Sequence, residues 1–273
     1  MRMILPLAAT TPASWPRVCA GRSGFADFCA DVAPASRANP ERVNSLALPA
    51  RATKLSKTKG KITVDATSPK DLHFYEPKDG HGLKHDPFNA IIAPRPIGWI
   101  SSRDAKGNVN LAPYSFFNAF CYTPPIIGFS STNWKDSVGN IEETREFVWN
   151  LATMDLAQQM NATAAHVARD VSEFQIAGLT ATPGKLVNVP RVAESPVTFE
   201  CKLSQIIQLQ GADGRKAQSW LTLGEVVAVH IDKAFIKDGV YQTALARPIV
   251  RAGRRGDYFV IEPENMFEMV RPD

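Results

Sequence analysis

The sequence predicts a mainly β chain whose strands close, or nearly close, into an antiparallel barrel decorated by two or three helices. Two observations carry this. Apolar runs rich in β-branched and aromatic residues alternate with turn residues between Ala93 and Ile231, and strands do not alternate with helices as parallel βαβ units require.

In chain order, residues 1 to about 68 are dominated by Ala, Ser, Pro and Arg and show no sustained hydrophobic period. Such a segment cannot offset its own ordering entropy, so residues 1–70 are expected to be a disordered extension and 71–273 the folded domain. An upstream start codon or an organelle transit peptide are the alternatives. Arg2, Arg17, Arg22 and Arg37 suit the second, whereas Asp27 and Asp31 oppose it. Ala93 to Ser102 reads as the first strand, Asp104-Ala105-Lys106-Gly107 as a turn, Asn110 to Asn118 as the second strand and Ile126 to Ser130 as the third. Pro113 assigns the second strand to an edge or a bulge, and a bulge would turn backbone N–H groups toward a ligand.

With Asp136 or Ser137 as N-cap, Val138 and Ile141 share a face opposite Glu142, Glu143 and Glu146, which predicts an amphipathic helix reaching Phe147. Val148 to Ala152 follows as a strand. Asp155 with Gln158 resembles a capping box that opens a second helix through Met160 and Ala164. Residues 167–196, punctuated by Pro183-Gly184 and Pro190, read mostly as loop. Val197 to Ile206 alternates as a half-buried strand, Gly211 to Gly214 turns the chain, and Ser219 to Ile231 is the longest β-rich run and the expected central strand.

The chain has 273 residues, 44% of them hydrophobic and 21% charged, the composition of an ordinary soluble globular protein. Its net charge of +4 is unevenly placed. Residues 1–61 hold ten basic and three acidic side chains, a net of +7, which leaves −3 on the rest. A nucleic-acid-binding domain would carry its positive charge on the folded part. Cys19, Cys29, Cys121 and Cys201 form no C-x-x-C pair, which points to free thiols, a reducing compartment and a cytoplasmic location; Cys121 and Cys201 fall in apolar runs and are expected in the core. No apolar run approaches the ~18 residues of a membrane span. His81 and His85 are four apart, but flanking Gly80, Gly82 and Pro87 favour a loop over a metal-binding helix.

Neither a G-x-G-x-x-G fingerprint nor a G-x-x-x-x-G-K-[ST] loop nor a G-x-S-x-G elbow occurs. What remains is a set suited to a phosphate and a flat ring. Lys135 precedes a predicted helix together with Asp136, Ser137 and Ser130 or Ser131, a point charge beside hydroxyls and free amides. The alternative is a solvated lysine and an ordinary helix cap. Arg95 lies between Pro94 and Pro96, so its direction is restricted, and Trp99 is either core or the cover of a bound ring.

Taken together, Phe74-Tyr75-Glu76-Pro77, Gly80–Leu83, His85–Phe88, the Ala93–Ser102 and Asn110–Asn118 runs and Lys135-Asp136-Ser137 resemble the flavin reductase-like proteins of the FMN-binding split-barrel superfamily. Glu146–Leu151, Glu194-Ser195-Pro196, Gly224–Val227 and Met266–Pro272 extend the resemblance over roughly residues 72–273. It implies a six-stranded antiparallel split β-barrel, a homodimer, and one FMN per subunit reduced by NADH or NADPH. The cofactor then carries the chemistry, no side chain need act as acid or base, and electrons pass to free flavin for a partner monooxygenase or to a small oxidant. A flavin carrier or sensor without nucleotide turnover is the alternative. By the same resemblance, Arg95, Trp99, Ser101 and Ser102 line the flavin, and Ala112, Pro113, Tyr114, Ser115, Phe117 and Asn118 pass its ring. Lys135, Asp136 and Ser137 hold its phosphate. The run Arg251-Ala252-Gly253-Arg254-Arg255-Gly256-Asp257-Tyr258 departs from the family pattern, and its Arg254 and Arg255 are either a 2′-phosphate contact or surface charge.

Overall fold

Fourteen strands and four α-helices form among residues 71–272, the span that the computed structural model describes; the expectation for residues 1–70 lies outside it. The strands are β1 Arg95–Pro96, β2 Gly98–Arg103, β3 Val109–Tyr114, β4 Phe117–Cys121, β5 Ile126–Thr132, β6 Glu146–Asn150, β7 Ala181–Thr182, β8 Arg191–Val192, β9 Val197–Gln210, β10 Lys216–Ile231, β11 Ile236–Lys237, β12 Val240–Tyr241, β13 Ile249–Arg251 and β14 Tyr258–Val260. The helices are α1 Phe88–Ile91, α2 Asp136–Thr144, α3 Ala157–Ala162 and α4 Glu173–Ile176. Seven strands make the main antiparallel sheet in the order β3-β2-β6-β9-β10-β5-β4, and β1, β13 and β14 make a smaller one.

The main sheet has seven strands where six were expected, because the run Asn110–Asn118 is two strands. It breaks at Ser115-Phe116, and its halves β3 and β4 stand at opposite ends of the strand order. A two-residue link between the two edges requires the sheet to curl until they approach; Ser130 N donates to Phe116 O at 2.8 Å, extending the β4–β5 ladder back into that link. Pro113 does lie in an edge strand, but β2 and β3 pair without a register shift, so there is no bulge at that point. The expected turn forms where Asp104 accepts from Asn108 N at 2.8 Å and Gly107 takes φ +97°. As expected, β10 is central, between β9 and β5.

Helix α2 ends three residues earlier than its pattern suggested. Arg145 adopts a left-handed conformation at φ 65° and turns the chain directly into β6, which takes Phe147 into the sheet. The capping box at Asp155 does not form: Asp155 lies inside a short 3₁₀ turn, Met154–Leu156, and its carboxylate lies 3.5 Å from Arg247.

The core lies on both faces of β2. Trp99 packs with Leu111, Met160 and Phe174, whereas its neighbour Ile100 packs with Phe129, Val138, Ile141 and Phe147. Alternation along the strand therefore sends consecutive side chains to α3 and α4 on one side and α2 on the other. Gly224 lies under the Phe147 ring where a Cβ would overlap it, and the β9–β10 register shifts at that residue. Cys201 is fully buried, which pushes its thiol pKa up; Cys121 is exposed at the end of β4, contrary to expectation.

Glu200 on β9 is fully buried and organises the 184–187 loop. Its carboxylate accepts from the amides of Lys185, Leu186 and Val187 at 2.7, 2.6 and 2.9 Å, and pairs with His230. Burial alone would raise its pKa; the amides and His230 outweigh that and hold it at about 2, against 4.5 for a free glutamate. Its stabilisation is therefore complete above pH 4.5 and is lost as pH falls toward 2. We expect Glu200→Gln to cost roughly 2–3 kcal/mol at neutral pH. In urea melts the gap to wild type should shrink progressively below pH 4.5; a gap independent of pH contradicts this assignment.

Candidate functional site

Beside the free edge of β3, the start of α2, the end of β5 and residues 163–167 enclose a cavity of about 580 Å³. That is within the usual size of small-molecule sites, about 300–1,000 Å³. Of the residues singled out in the sequence, Ala112, Pro113, Tyr114, Ser115, Lys135, Asp136 and Ser137 come together on its walls.

The N-cap of α2 is Lys135, not Asp136 or Ser137, and no side chain caps the helix. Lysine cannot accept a hydrogen bond, and the first intrahelical amide to find a partner is Gly139, donating to Lys135 O at 3.0 Å. The amides of Asp136, Ser137 and Val138 donate to no group among the described residues. These donors, the positive end of the helix dipole and the exposed Lys135 ammonium converge on one end of the cavity, the composition of an anion site. Asp136 would oppose an anion, but its carboxylate is drawn to Arg169 at 3.6 Å. Arg169 also donates to Asn140 at 2.9 Å, tying the 163–172 segment to α2.

Along β3 the edge-facing backbone alternates with the paired backbone. Leu111 N faces outward and donates to the buried Glu173 carboxylate at 3.0 Å. Two residues on, Pro113 occupies an outward position where no donor is needed. Ser115 is next on that side, and its N–H has no partner among the described residues. Asn110, in the amide orientation that satisfies its neighbours, accepts from Ser137 Oγ at 2.9 Å and donates to Glu173 at 3.3 Å. Burial raises the Glu173 pKa, and the charge of Asp136 raises it further, although Leu111 N pulls the other way. Tyr114 packs against Phe129 with ring centres 4.4 Å apart and planes tilted by 39°, and its hydroxyl is buried without a hydrogen-bond partner among the described residues. The hydroxyls of Ser131 and Ser137 beside it donate to Asn133 O and to Asn110.

The other predicted residues do not line this cavity. Trp99 is fully buried, donating to Thr163 at 3.0 Å, so it is core. Ser101 donates to Pro190 O at 2.7 Å, and Ser102 accepts from Asn140 at 3.2 Å, positioning α2 from behind. Phe117 stacks on Trp149 with ring planes 8° apart, and Asn118 bonds the amide of Ala119. Arg95 is buried and donates to Ser115 O and Ala252 O at 3.1 Å each, and to Asn89 O. Its guanidinium is thus a clamp behind the cavity wall, with a pKa lowered by burial and then by Arg251. Sequence reasoning passed over Glu173, Trp134 and residues 163–167. Glu173 stands in the segment read as loop, where nothing in the pattern marked it for burial.

Residues 92–246 match the family model described as the flavin reductase like domain. An uncharacterized protein of Aquifex aeolicus is 33% identical over 62% of this chain and 85% of its own length. Among solved structures, nitrilotriacetate monooxygenase component B from Bacillus cereus is 28% identical with a TM-score of 0.64, covering 76% of this chain and all of that one. The 2-nitrobenzoate 2-nitroreductase NbaA of Pseudomonas fluorescens is 27% identical with a TM-score of 0.60, covering 68% and 88%.

Because the Tyr114 hydroxyl has no hydrogen-bond partner among the described residues, Tyr114→Phe should leave the ligand-free protein as stable as wild type or up to about 1 kcal/mol more stable. A loss above about 1 kcal/mol in a urea melt contradicts the orphan assignment.

Proposed function

This chain belongs to the flavin reductase like family, and from that premise we propose that it is an FMN-binding oxidoreductase that takes hydride from NAD(P)H onto the flavin. The observation that carries the reading is the uncapped start of α2 facing the free edge of β3 across one cavity. A phosphate fits the first, and a flat ring with polar edges fits the second.

In this reading the amides of Asp136, Ser137 and Val138, with the Lys135 ammonium, hold the FMN phosphate. Ala112, Pro113 and Tyr114 form a wall along the ring, and the Ser115 N–H supplies a donor to a ring heteroatom. Trp134 and Phe116, both on the cavity wall, present apolar surface that restricts water there. Arg95 and Ser102 act from outside, fixing Ser115 and α2 through the hydrogen bonds described above. Bound FMN would supply the electron-accepting ring, so the protein's task is to bind, orient and exclude solvent.

The electron acceptor is free flavin for a partner monooxygenase or a small oxidant; the likeness to a monooxygenase component from Bacillus cereus supports the first and that to a nitroreductase of Pseudomonas fluorescens the second. We also propose a homodimer. Tyr122, Phe267, Met269 and Val270 are 94, 81, 81 and 78% exposed, and a second copy covering these side chains would remove them from water. Among the described residues no helix is long and apolar enough to cross a membrane.

The test is to add FMN to the purified full chain and titrate it anaerobically with NADH and NADPH. Retained yellow cofactor that bleaches with at least one nucleotide is expected. Protein that binds no FMN, or bound FMN that bleaches only with dithionite, overturns the reading. Lys135→Ala should weaken FMN binding by about 1.5–3 kcal/mol, roughly 10- to 150-fold, in a fluorescence titration.

A further inference from the structure

One cation in the β13–β14 hairpin is spent on shaping its own loop. The Arg251 guanidinium donates to Arg254 O and Asp257 O at 2.9 and 2.8 Å and to Arg255 O at 2.8 Å, and lies over the Tyr258 ring at 4.6 Å. Ala252 N closes the loop onto Asp257 O at 3.0 Å. With its carbonyls gathered inward on Arg251, the loop carries Arg254 and Arg255 outward. Both are exposed, and neither forms an ion pair with any described residue.

This loop abuts the cavity wall. The single guanidinium of Arg95 bonds Ser115 O, on the wall, and Ala252 O, at the base of the loop, so the two backbones meet on one group. A Cβ on Gly253 would strike Ala90, so the loop is also packed tightly against α1. The FMN phosphate already has its own donors at the start of α2, which leaves this arginine pair for a second anion.

We propose that Arg254 and Arg255 form a subsite for the 2′-phosphate of NADPH and select that nucleotide over NADH. The inference rests on the NAD(P)H reading above. Two adjacent guanidinium groups suit a phosphate monoester, which carries close to two negative charges at neutral pH. The singly charged groups of a pyrophosphate, common to both nucleotides, match the pair less well.

The experiment is a calorimetric titration of the full chain, loaded with FMN, against NADP+ and against NAD+, which differ only in the 2′-phosphate. Tighter binding of NADP+ by about tenfold or more is expected. In Arg254→Ala/Arg255→Ala that discrimination should collapse, and Arg254→Lys/Arg255→Lys should restore part of it. Equal affinity for the two ligands, binding of neither, or discrimination that survives the double alanine variant overturns the proposal. Anaerobic reduction with NADPH and NADH separates this from the parent reading. Discrimination in binding without reduction by either nucleotide sinks the hydride-transfer reading and leaves the subsite standing. Reduction by both nucleotides at the same kcat/KM removes the subsite and leaves the reading.

Discussion

Ser115 and Phe116 carry the chain from one edge of a seven-stranded sheet to the other in two residues. So short a step cannot cross a flat sheet of that width, because strands lie nearly 5 Å apart. The sheet has to curl until β3 and β4 face each other, and the turn of chain between them has to be held. Arg95 does the holding, with its donors placed on carbonyls of three separate segments. The cavity is what the unclosed seam leaves beside β3 once α2 and the 163–167 segment are packed against it.

The electrostatics of that cavity are balanced rather than uniformly positive. Two carboxylates, Asp136 and Glu173, border the proposed anion site. Each is engaged: Asp136 by Arg169, Glu173 by Leu111 N and Asn110. The donors left over are backbone amides at the start of α2 and at Ser115, with Lys135 beside the first. Fixed amides do not have to reorganise when a charge arrives, which is why such an arrangement suits a cofactor whose charge changes during turnover.

Much of this was legible in the residues. The turn at Asp104–Gly107, the edge position of Pro113, the central place of Ser219–Ile231 and the helix after Lys135 all follow from local pattern, because each depends on neighbours close in sequence. The break at Ser115-Phe116 was not legible, since both halves are equally strand-like and only the closure of the sheet decides between one strand and two. The same holds for the site. Ala112 to Ser115 and Lys135 to Ser137 are adjacent in sequence to the elements that present them. Trp99, Ser101 and Ser102 sit in β2, which is buried on both faces, with Arg95 buried in the short β1 before it, and periodicity cannot distinguish such a strand from one that lines a pocket. Glu173 was invisible for another reason: its burial depends on the free edge of a strand 62 residues away.

The central claim is that the uncapped turn of α2 and the open edge of β3 together receive one flavin. A crystal structure of the full chain grown with FMN tests it most directly. The account predicts the phosphate on the amides of Asp136 to Val138 and the ring along Ala112 to Ser115. Flavin density elsewhere on the molecule, with that cavity closed by the protein's own side chains, would contradict it.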